Sequence, residues 1–269
     1  MSSGYHIVVC GSLVPDPLQV LEPVEGPDGP ALENEMMIPA VLDPWAAHAL
    51  YEAAHLAART EGSRVWLVSI GPRARLQQLM MSIAQKVPFE LVAADGPASG
   101  FTDARETAAA LADLIESIDG LDRSRALIFG GRSSASRDAG VTMGMVGERL
   151  GVTDQFLAVD KLTVEDDGRL QIMERIEGGR YLVSVCQGPP LVCAWSTGEL
   201  PEPPNNPQVG MQNMRTIMPA LQKAKPVQLD AEGLSYVTVE IPKGKRDTRI
   251  ERNMGAEDIA REIVEWVRG

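Results

Sequence analysis

Apolar runs and amphipathic stretches alternate along the first 150 residues of the chain. The run His6–Cys10 is typical of a buried strand, and comparable runs follow at residues 64–70, 89–93 and 125–130. Stretches with apolar residues at helical spacing follow these runs; one starts at Asp43-Pro44, and the others cover residues 72–86, 103–118 and 138–150. This alternation predicts an α/β fold with a mostly parallel, twisted sheet flanked by helices.

The helix boundaries carry their own signals. Asp43 followed by Pro44 combines a good N-cap residue with the residue favoured at the first helical position. Asp103 and Glu106 resemble a capping box, and Gly120 stands where that helix is expected to stop. Asp43 and Asp103 thus mark the expected starts of the first and third helices, and Gly120 marks the expected end of the third.

The pattern changes after Gly151. Residues 155–164, 169–177 and 180–187 alternate as strands do, and the turn sequences Asp166-Asp167-Gly168 and Gly178-Gly179 separate them. Turns of this kind favour hairpins. The sequence therefore predicts an antiparallel extension of the sheet, with one more apolar strand at residues 191–196.

The last quarter of the chain has little apolar period of its own. Prolines make residues 201–207 an extended connection, and residues 208–252 show no sustained helical or strand pattern apart from 235–241. A helix closes the chain at residues 256–267. We predict an α/β domain over residues 1–200 and an extended C-terminal arm over residues 201–269, which has to lie on its own domain or dock on a partner subunit.

Composition narrows the classes of partner. The chain has 269 residues, 44% of them hydrophobic, and a net charge of −12, which argues against a nucleic-acid partner because phosphate binding needs a positive surface. The apolar runs are too short to insert into a membrane. Residues 1–6 lack a basic stretch ahead of an apolar one, so no signal peptide is expected and a cytoplasmic location is predicted.

Residues that could carry catalysis or hold a metal are sparse. Three scattered cysteines favour neither a disulfide framework nor a metal cluster. His48 and His55 lie two helical turns apart, too far to share a metal ion, and with His6 they are expected at the surface. Motifs typical of hydrolases and phosphate-transferring enzymes are missing from the sequence. A hydrolase or transferase centre is therefore not visible in the sequence.

The connection after the fourth predicted strand is the best candidate for a binding site. Residues 130–142 are rich in glycine and serine and precede a helix, at the sheet edge where open parallel sheets bind ligands. A phosphate could bind there, with adenine between the end of the first strand and the other helix starts. A plain loop is the alternative interpretation. The predicted site residues in this connection are Gly131, Arg132, Ser133, Ser136, Arg137, Asp138, Ala139, Gly140, Val141 and Thr142.

Short motifs along nearly the whole chain resemble the beta subunits of electron-transfer flavoproteins. Val-Ser-Ile-Gly-Pro at residues 68–72 and Met-Pro-Ala-Leu-Gln-Lys-Ala-Lys at 218–225 are similar to motifs of that family. Further similarities, in the family's order, lie at residues 7–16, 42–45, 175–179, 190–193 and from 241 to the end. The loop departs from the family pattern, since it keeps one aspartate, Asp138, and has no glutamine.

The resemblance implies a heterodimer with an alpha subunit that holds most of the FAD, passing electrons from a dehydrogenase to a quinone reductase or another acceptor. This chain would bind AMP structurally or, in electron-bifurcating members that oxidise NADH, a second FAD. A stand-alone adenine-nucleotide domain of Rossmann-like shape stays open as an alternative. By position, the pocket adds Cys10, Asp43, Pro44, Trp45 and Ile70 to the loop residues. Trp45 and Pro17 would lie towards the partner's flavin, and Met218 on a loop that docks redox partners.

Overall fold

The computed structural model describes residues 4–26, 29–98, 101–136, 140–229, 237–241 and 250–268. Six helices lie in these residues: α1 (Pro44–Arg59), α2 (Arg73–Ile83), α3 (Ala104–Glu116), α4 (Thr142–Arg149), α5 (Pro207–Lys223) and α6 (Ala256–Arg268). The strands in the same residues are β1 (His6–Cys10), β2 (Leu13–Pro15), β3 (Pro23–Gly26), β4 (Gly29–Leu32), β5 (Ala40–Leu42), β6 (Arg64–Gly71), β7 (Glu90–Asp95), β8 (Ala126–Gly131), β9 (Gln155–Val164), β10 (Leu170–Arg175), β11 (Tyr181–Cys186), β12 (Leu191–Trp195) and β13 (Lys225–Pro226).

Nine of the strands in the described residues form one sheet, in the order β11-β10-β9-β12-β8-β1-β6-β7-β13. The strands from β12 to β13 pair in parallel, which confirms the predicted α/β fold. From β1 the chain moves outwards through β6 and β7, then returns to place β8 on the other side of β1. The strand order therefore reverses between β1 and β8, and such a reversal leaves a crevice at the carboxyl ends of the strands.

The core lies on both faces of the sheet. Ile7 and Val9 of β1 pack in a cluster with residues of α1, α2 and α5, whereas Val8 and Cys10 pack with residues of α3 and α4. Because both faces are covered, the central strands read as continuous apolar runs instead of alternating ones. This is why the strand signals were strong in the sequence.

The predicted antiparallel extension is present as β9, β10 and β11. Its turns contain Gly168 at φ 85° and Gly178 at φ 71°, values in the left-handed region that favours glycine. β11 forms one edge of the sheet, and its exposed apolar side chains are Tyr181, Leu182, Val183 and Val185. At the opposite edge lies β13, which is only two residues long and contains Pro226.

The prediction that residues after 207 lack regular structure was wrong for α5. Asn206 caps this helix by accepting a hydrogen bond from the Gln208 amide at 3.0 Å, and Pro207 occupies its first position. The helix buries Ile217, Leu221 and also Asn213, a polar residue that interrupts the apolar spacing. Residues 230–236 and 242–249 of the predicted arm lie outside the described residues. The boundary at residue 200 stays a prediction.

The two small sheets between β1 and α1 were missed by the sequence analysis. β2 pairs with β5 and β3 with β4, both in antiparallel orientation. These strands have three or four residues each, too few to establish a period of two. The last of these strands, β5, ends at Leu42, directly before α1 and close to the crevice.

Helix α6 separates its apolar and charged residues onto different faces. Ile259, Ile263 and Val267 lie one above another at helical spacing, and they are 42, 54 and 79% exposed. No residue of this helix is buried within the described parts of the chain. Its apolar face is therefore uncovered. A helix with the length and apolar character to cross a lipid bilayer does not occur among the described residues.

Candidate functional site

A cleft opens at the carboxyl edge of the parallel strands, where β1, β6 and β8 end. Its lining comes from the end of β1, the start of α1, the loop between β8 and α4, and the segment that joins β7 to α3. The strand order reverses here, and open parallel sheets bind ligands at such reversals. The fold thus forms a crevice where the sequence predicts a nucleotide site.

Asp43 joins two walls of the cleft. One carboxylate oxygen caps α1 by accepting from the Trp45 amide at 3.1 Å. The other accepts from the Ser134 hydroxyl at 2.7 Å and from the Ala135 amide at 2.8 Å. The side chain is 1% exposed, and burial raises the pKa of its carboxyl while these hydrogen bonds oppose the rise. Asp43 therefore fixes the loop after β8 to the start of α1.

Gly131 allows this loop to approach α1 closely. A Cβ atom at this position would lie 2.7 Å from Cβ of Trp45 and 2.9 Å from the carbonyl oxygen of Ser133. Both distances are shorter than real Cβ contacts, so a larger residue would push the loop away. The backbone is held on its other side as well, because the Arg132 amide donates to the carbonyl of Trp195 at 2.9 Å.

The loop and the start of α4 present polar groups to the cleft. The Ser134 hydroxyl donates a hydrogen bond to Asp43, and the Ser136 hydroxyl oxygen lies 3.0 Å from the Ser134 hydroxyl oxygen. Gly140 has φ 67°, and Thr142 begins α4, whose N-cap residue makes no side-chain capping bond. Backbone amides at an uncapped helix start attract anions. The exposed guanidinium of Arg132 adds a positive charge to the same wall.

Cys10 contributes an apolar surface. It is 6% exposed at the end of β1, and burial raises the pKa of its thiol to about 12. The thiol is therefore protonated at neutral pH and lacks the thiolate character that redox and nucleophilic cysteines require. Ile70, Leu111 and Met143 extend the apolar surface across the cleft.

The wall opposite the loop comes from the segment between β7 and α3. Pro97, Ala98 and Thr102 line it, and Thr107 from α3 and Leu229 from the chain after β13 join them. The sequence analysis missed these residues, because only the pairing of β6 with β7 brings this segment to the crevice. Ser134 also lines the cleft; it lies inside the predicted loop 130–142 but was not among the residues named individually.

Most of the predicted pocket residues come together in this cleft. Those that line it are Cys10, Asp43, Ile70, Gly131, Arg132, Ser133, Ser136, Gly140 and Thr142. Pro44 and Trp45 in α1, and Val141 before α4, do not line it. Arg137, Asp138 and Ala139 lie outside the described residues. That this set binds a cofactor stays a prediction.

The three residues predicted to face a partner, Trp45, Pro17 and Met218, are not part of the cleft lining. Pro17 is exposed in a surface segment with Leu18 and Val20, which are 91 and 88% exposed. Met218 is half-buried within α5, so its predicted place on a loop was wrong. The helix forms there because Asn206 and Pro207 start it and Ile217 and Leu221 anchor it. Docking by Pro17 or Met218 stays a prediction.

The comparison with known proteins agrees with the geometry of the fold. The family model of the electron transfer flavoprotein domain matches residues 34–227, well over half of the chain. The matched region contains α1 to α5 and the loop that lines the cleft. No curated protein sequence matches the chain as a relative. On the family match, the chain belongs to the electron transfer flavoprotein domain family.

Proposed function

We propose that the chain is the beta subunit of a heterodimeric electron transfer flavoprotein and binds AMP structurally in the cleft. The observation that carries the proposal is the polar loop at the strand-order reversal, held by Asp43 and leading into an uncapped helix. The FAD of such a complex, held mainly by the alpha subunit, supplies the electron transfer chemistry. Within the described residues, the cleft offers binding groups and a protonated thiol, Cys10.

The cleft residues fit an adenine nucleotide. The phosphate would meet the start of α4, with hydroxyls of Ser136 and Thr142 and the guanidinium of Arg132 nearby. The adenine would lie on the apolar surface formed by Cys10 and Ile70. Gly131 keeps the loop close to α1, because a Cβ atom at this position would meet Trp45. In this role the nucleotide would stabilise the position of the loop against the rest of the subunit.

As part of an electron carrier, this chain would complete the flavin site that lies mainly on the alpha subunit. Its uncovered apolar surfaces, on α6 and β11, would be covered by the alpha subunit. Closing over a flavin excludes water, and groups around the ring adjust its potential. The electrons would come from a dehydrogenase and leave to a quinone reductase or another acceptor.

The test is to release and count the cofactors of the native complex. The chain is purified with the subunit that accompanies it, the complex is unfolded, and FAD and AMP are quantified by chromatography. We expect one FAD and one AMP per heterodimer. Two FAD molecules and no AMP would place a flavin in this cleft, as in bifurcating members, and a complex without flavin would contradict the carrier role.

A pair of glycine variants locates the AMP. Gly131→Ala should remove AMP from the purified complex while FAD is retained, because the new Cβ meets the start of α1. Gly255→Ala is the matched control, since Gly255 does not line the cleft and its Cβ would make an ordinary contact, 3.6 Å from Oδ2 of Asp258. Retention of AMP by Gly131→Ala would argue that the nucleotide binds elsewhere.

A further inference from the structure

The Thr102 hydroxyl is a buried polar group in the wall of the cleft, and it has no hydrogen-bond partner among the described residues. Thr102 is 6% exposed, lines the cleft, and makes no hydrogen bond through Oγ1 to any described residue. A hydroxyl can donate one hydrogen bond and accept two, and burying it without a partner is unfavourable. In native proteins such a group calls for an explanation, for instance a ligand that hydrogen-bonds to it.

The location of Thr102 distinguishes it from the other buried hydroxyls. Ser69 and Ser196 also have buried hydroxyls without a partner among the described residues, but neither lines the cleft. Thr107 lines the cleft, but its hydroxyl already donates to the Asp103 carbonyl at 2.9 Å. Thr102 thus combines unused hydrogen-bonding capacity with a position in the wall of the cleft.

Thr102 and the proposed phosphate site lie on two walls of the cleft. Thr102 comes just before α3, whereas the glycine- and serine-rich loop leads into α4, and these two helices pack against each other. The axes of packed helices are about 8–10 Å apart. A nucleotide has base, sugar and phosphate in series and can reach from the start of one helix to the start of the other.

We propose that Thr102 is a specificity-determining contact that hydrogen-bonds the nucleoside part of the bound nucleotide. The loop after β8 and the start of α4 would hold the phosphate on the opposite wall. This inference rests on the proposed function, because it requires an adenine nucleotide in the cleft. Thr102, in the connection between β7 and α3, would be a second polar contact for the nucleotide, in addition to the pocket residues that the sequence predicts.

The test compares three probes on variants of one side chain. AMP, adenosine and inorganic phosphate are titrated calorimetrically into the full-length chain after bound nucleotide has been removed. Thr102→Val keeps the shape of the side chain and removes the hydroxyl. We expect it to weaken AMP and adenosine binding about 3- to 10-fold, the effect of losing one hydrogen bond, and to leave phosphate affinity unchanged. Thr102→Ser, which keeps the hydroxyl, should bind AMP within about twofold of the wild type.

A thermal readout separates a ligand contact from a structural role. Without nucleotide, Thr102→Val should melt at the same temperature as the wild type or higher, because it removes an unsatisfied buried group. Its AMP-induced rise in melting temperature should be smaller. Ser69→Ala is the matched control, since it removes a buried hydroxyl outside the cleft and should leave the AMP-induced rise unchanged.

The outcomes distinguish this inference from the proposed function. If the wild type binds AMP and Thr102→Val binds it equally well, the Thr102 contact is refuted and the nucleotide site stands. An equal loss of phosphate affinity in Thr102→Val would also refute it, because the effect would then act through the opposite wall. A wild type that binds neither AMP nor adenosine would overturn both the inference and the AMP site.

Discussion

At the scale of single residues, the cleft depends on side chains that serve two elements at once. Asp43 is visible in the sequence as a helix cap, because aspartate before proline is a common start signal. Its second role, holding Ser134 and Ala135, links residues about ninety positions apart along the chain and exists only in the folded protein. Local sequence therefore predicted the residue and half of its function.

Replacing Asp43 with asparagine tests the second role. The substituted side chain could still cap α1 through its oxygen, but its amide nitrogen would face the Ala135 amide, placing two donors together. We expect Asp43→Asn to lower the free energy of unfolding by about 1–3 kcal/mol, measured by urea denaturation.

The control for this substitution exchanges the same two residue types at another helix cap. Asn206 caps α5 by accepting from the Gln208 amide at 3.0 Å, and asparagine and aspartate cap helices about equally well. Asn206→Asp should therefore change the free energy of unfolding by less than about 0.5 kcal/mol. Equal stability of Asp43→Asn and the wild type would mean that the carboxylate does not hold the loop.

At the scale of elements, the sequence predicted what local patterns determine. The parallel strands and α1 to α3 were found because both faces of the sheet are covered and because Asp43 and Asp103 mark helix starts. Helix α5 was not found, since Pro219 and Gly210 stand inside it and both residues disfavour a helix in sequence. Its place against the body is set by contacts distant in sequence, which no local pattern encodes.

Asn213 anchors α5 through three backbone partners. Its amide nitrogen donates to the carbonyls of Ala84 at 2.7 Å and Val87 at 2.6 Å, and its oxygen accepts from the Phe89 amide at 3.3 Å. Asn213→Ala would leave these groups without their partner. We expect a loss of roughly 2–4 kcal/mol in the free energy of unfolding, with faster proteolysis within α5 than elsewhere.

The neighbouring residue supplies the comparison for Asn213. Gln212 is exposed on the same helix, so Gln212→Ala should leave both the unfolding free energy and the proteolysis pattern close to those of the wild type. A stable Asn213→Ala variant with unchanged cleavage would show that α5 is held by its apolar residues alone.

At the scale of the whole molecule, α6 and β11 are two of the described elements that leave apolar side chains exposed. The stripe on α6 and the side chains of β11 are exposed, whereas the central sheet is buried on both faces. Isolated soluble proteins rarely expose large contiguous apolar patches, which mark interaction sites when they occur. The proposed heterodimer gives both surfaces a partner.

Helix α6 offers a direct test of the heterodimer. Ile263→Glu places a charge in the apolar stripe and should lower the amount of flavin-carrying subunit that co-purifies with the chain at least tenfold, about 1.4 kcal/mol of binding free energy. Glu265→Lys changes the charge of a residue outside the stripe formed by Ile259, Ile263 and Val267, and should leave co-purification unchanged. Undiminished recovery of the partner with Ile263→Glu would exclude this stripe from the interface.

The two margins of the sheet differ in how readily a strand of another chain could pair with them. On one margin, Pro226 lacks an amide hydrogen and the strand is only two residues long, which discourages addition of another strand. The other margin, β11, is a six-residue strand with exposed apolar side chains, and no strand of the described residues pairs with its outer side. If the proposed heterodimer covers this margin, chains synthesised in excess of the alpha subunit would pair edge to edge there and precipitate. Soluble yield should then follow the supply of the alpha subunit.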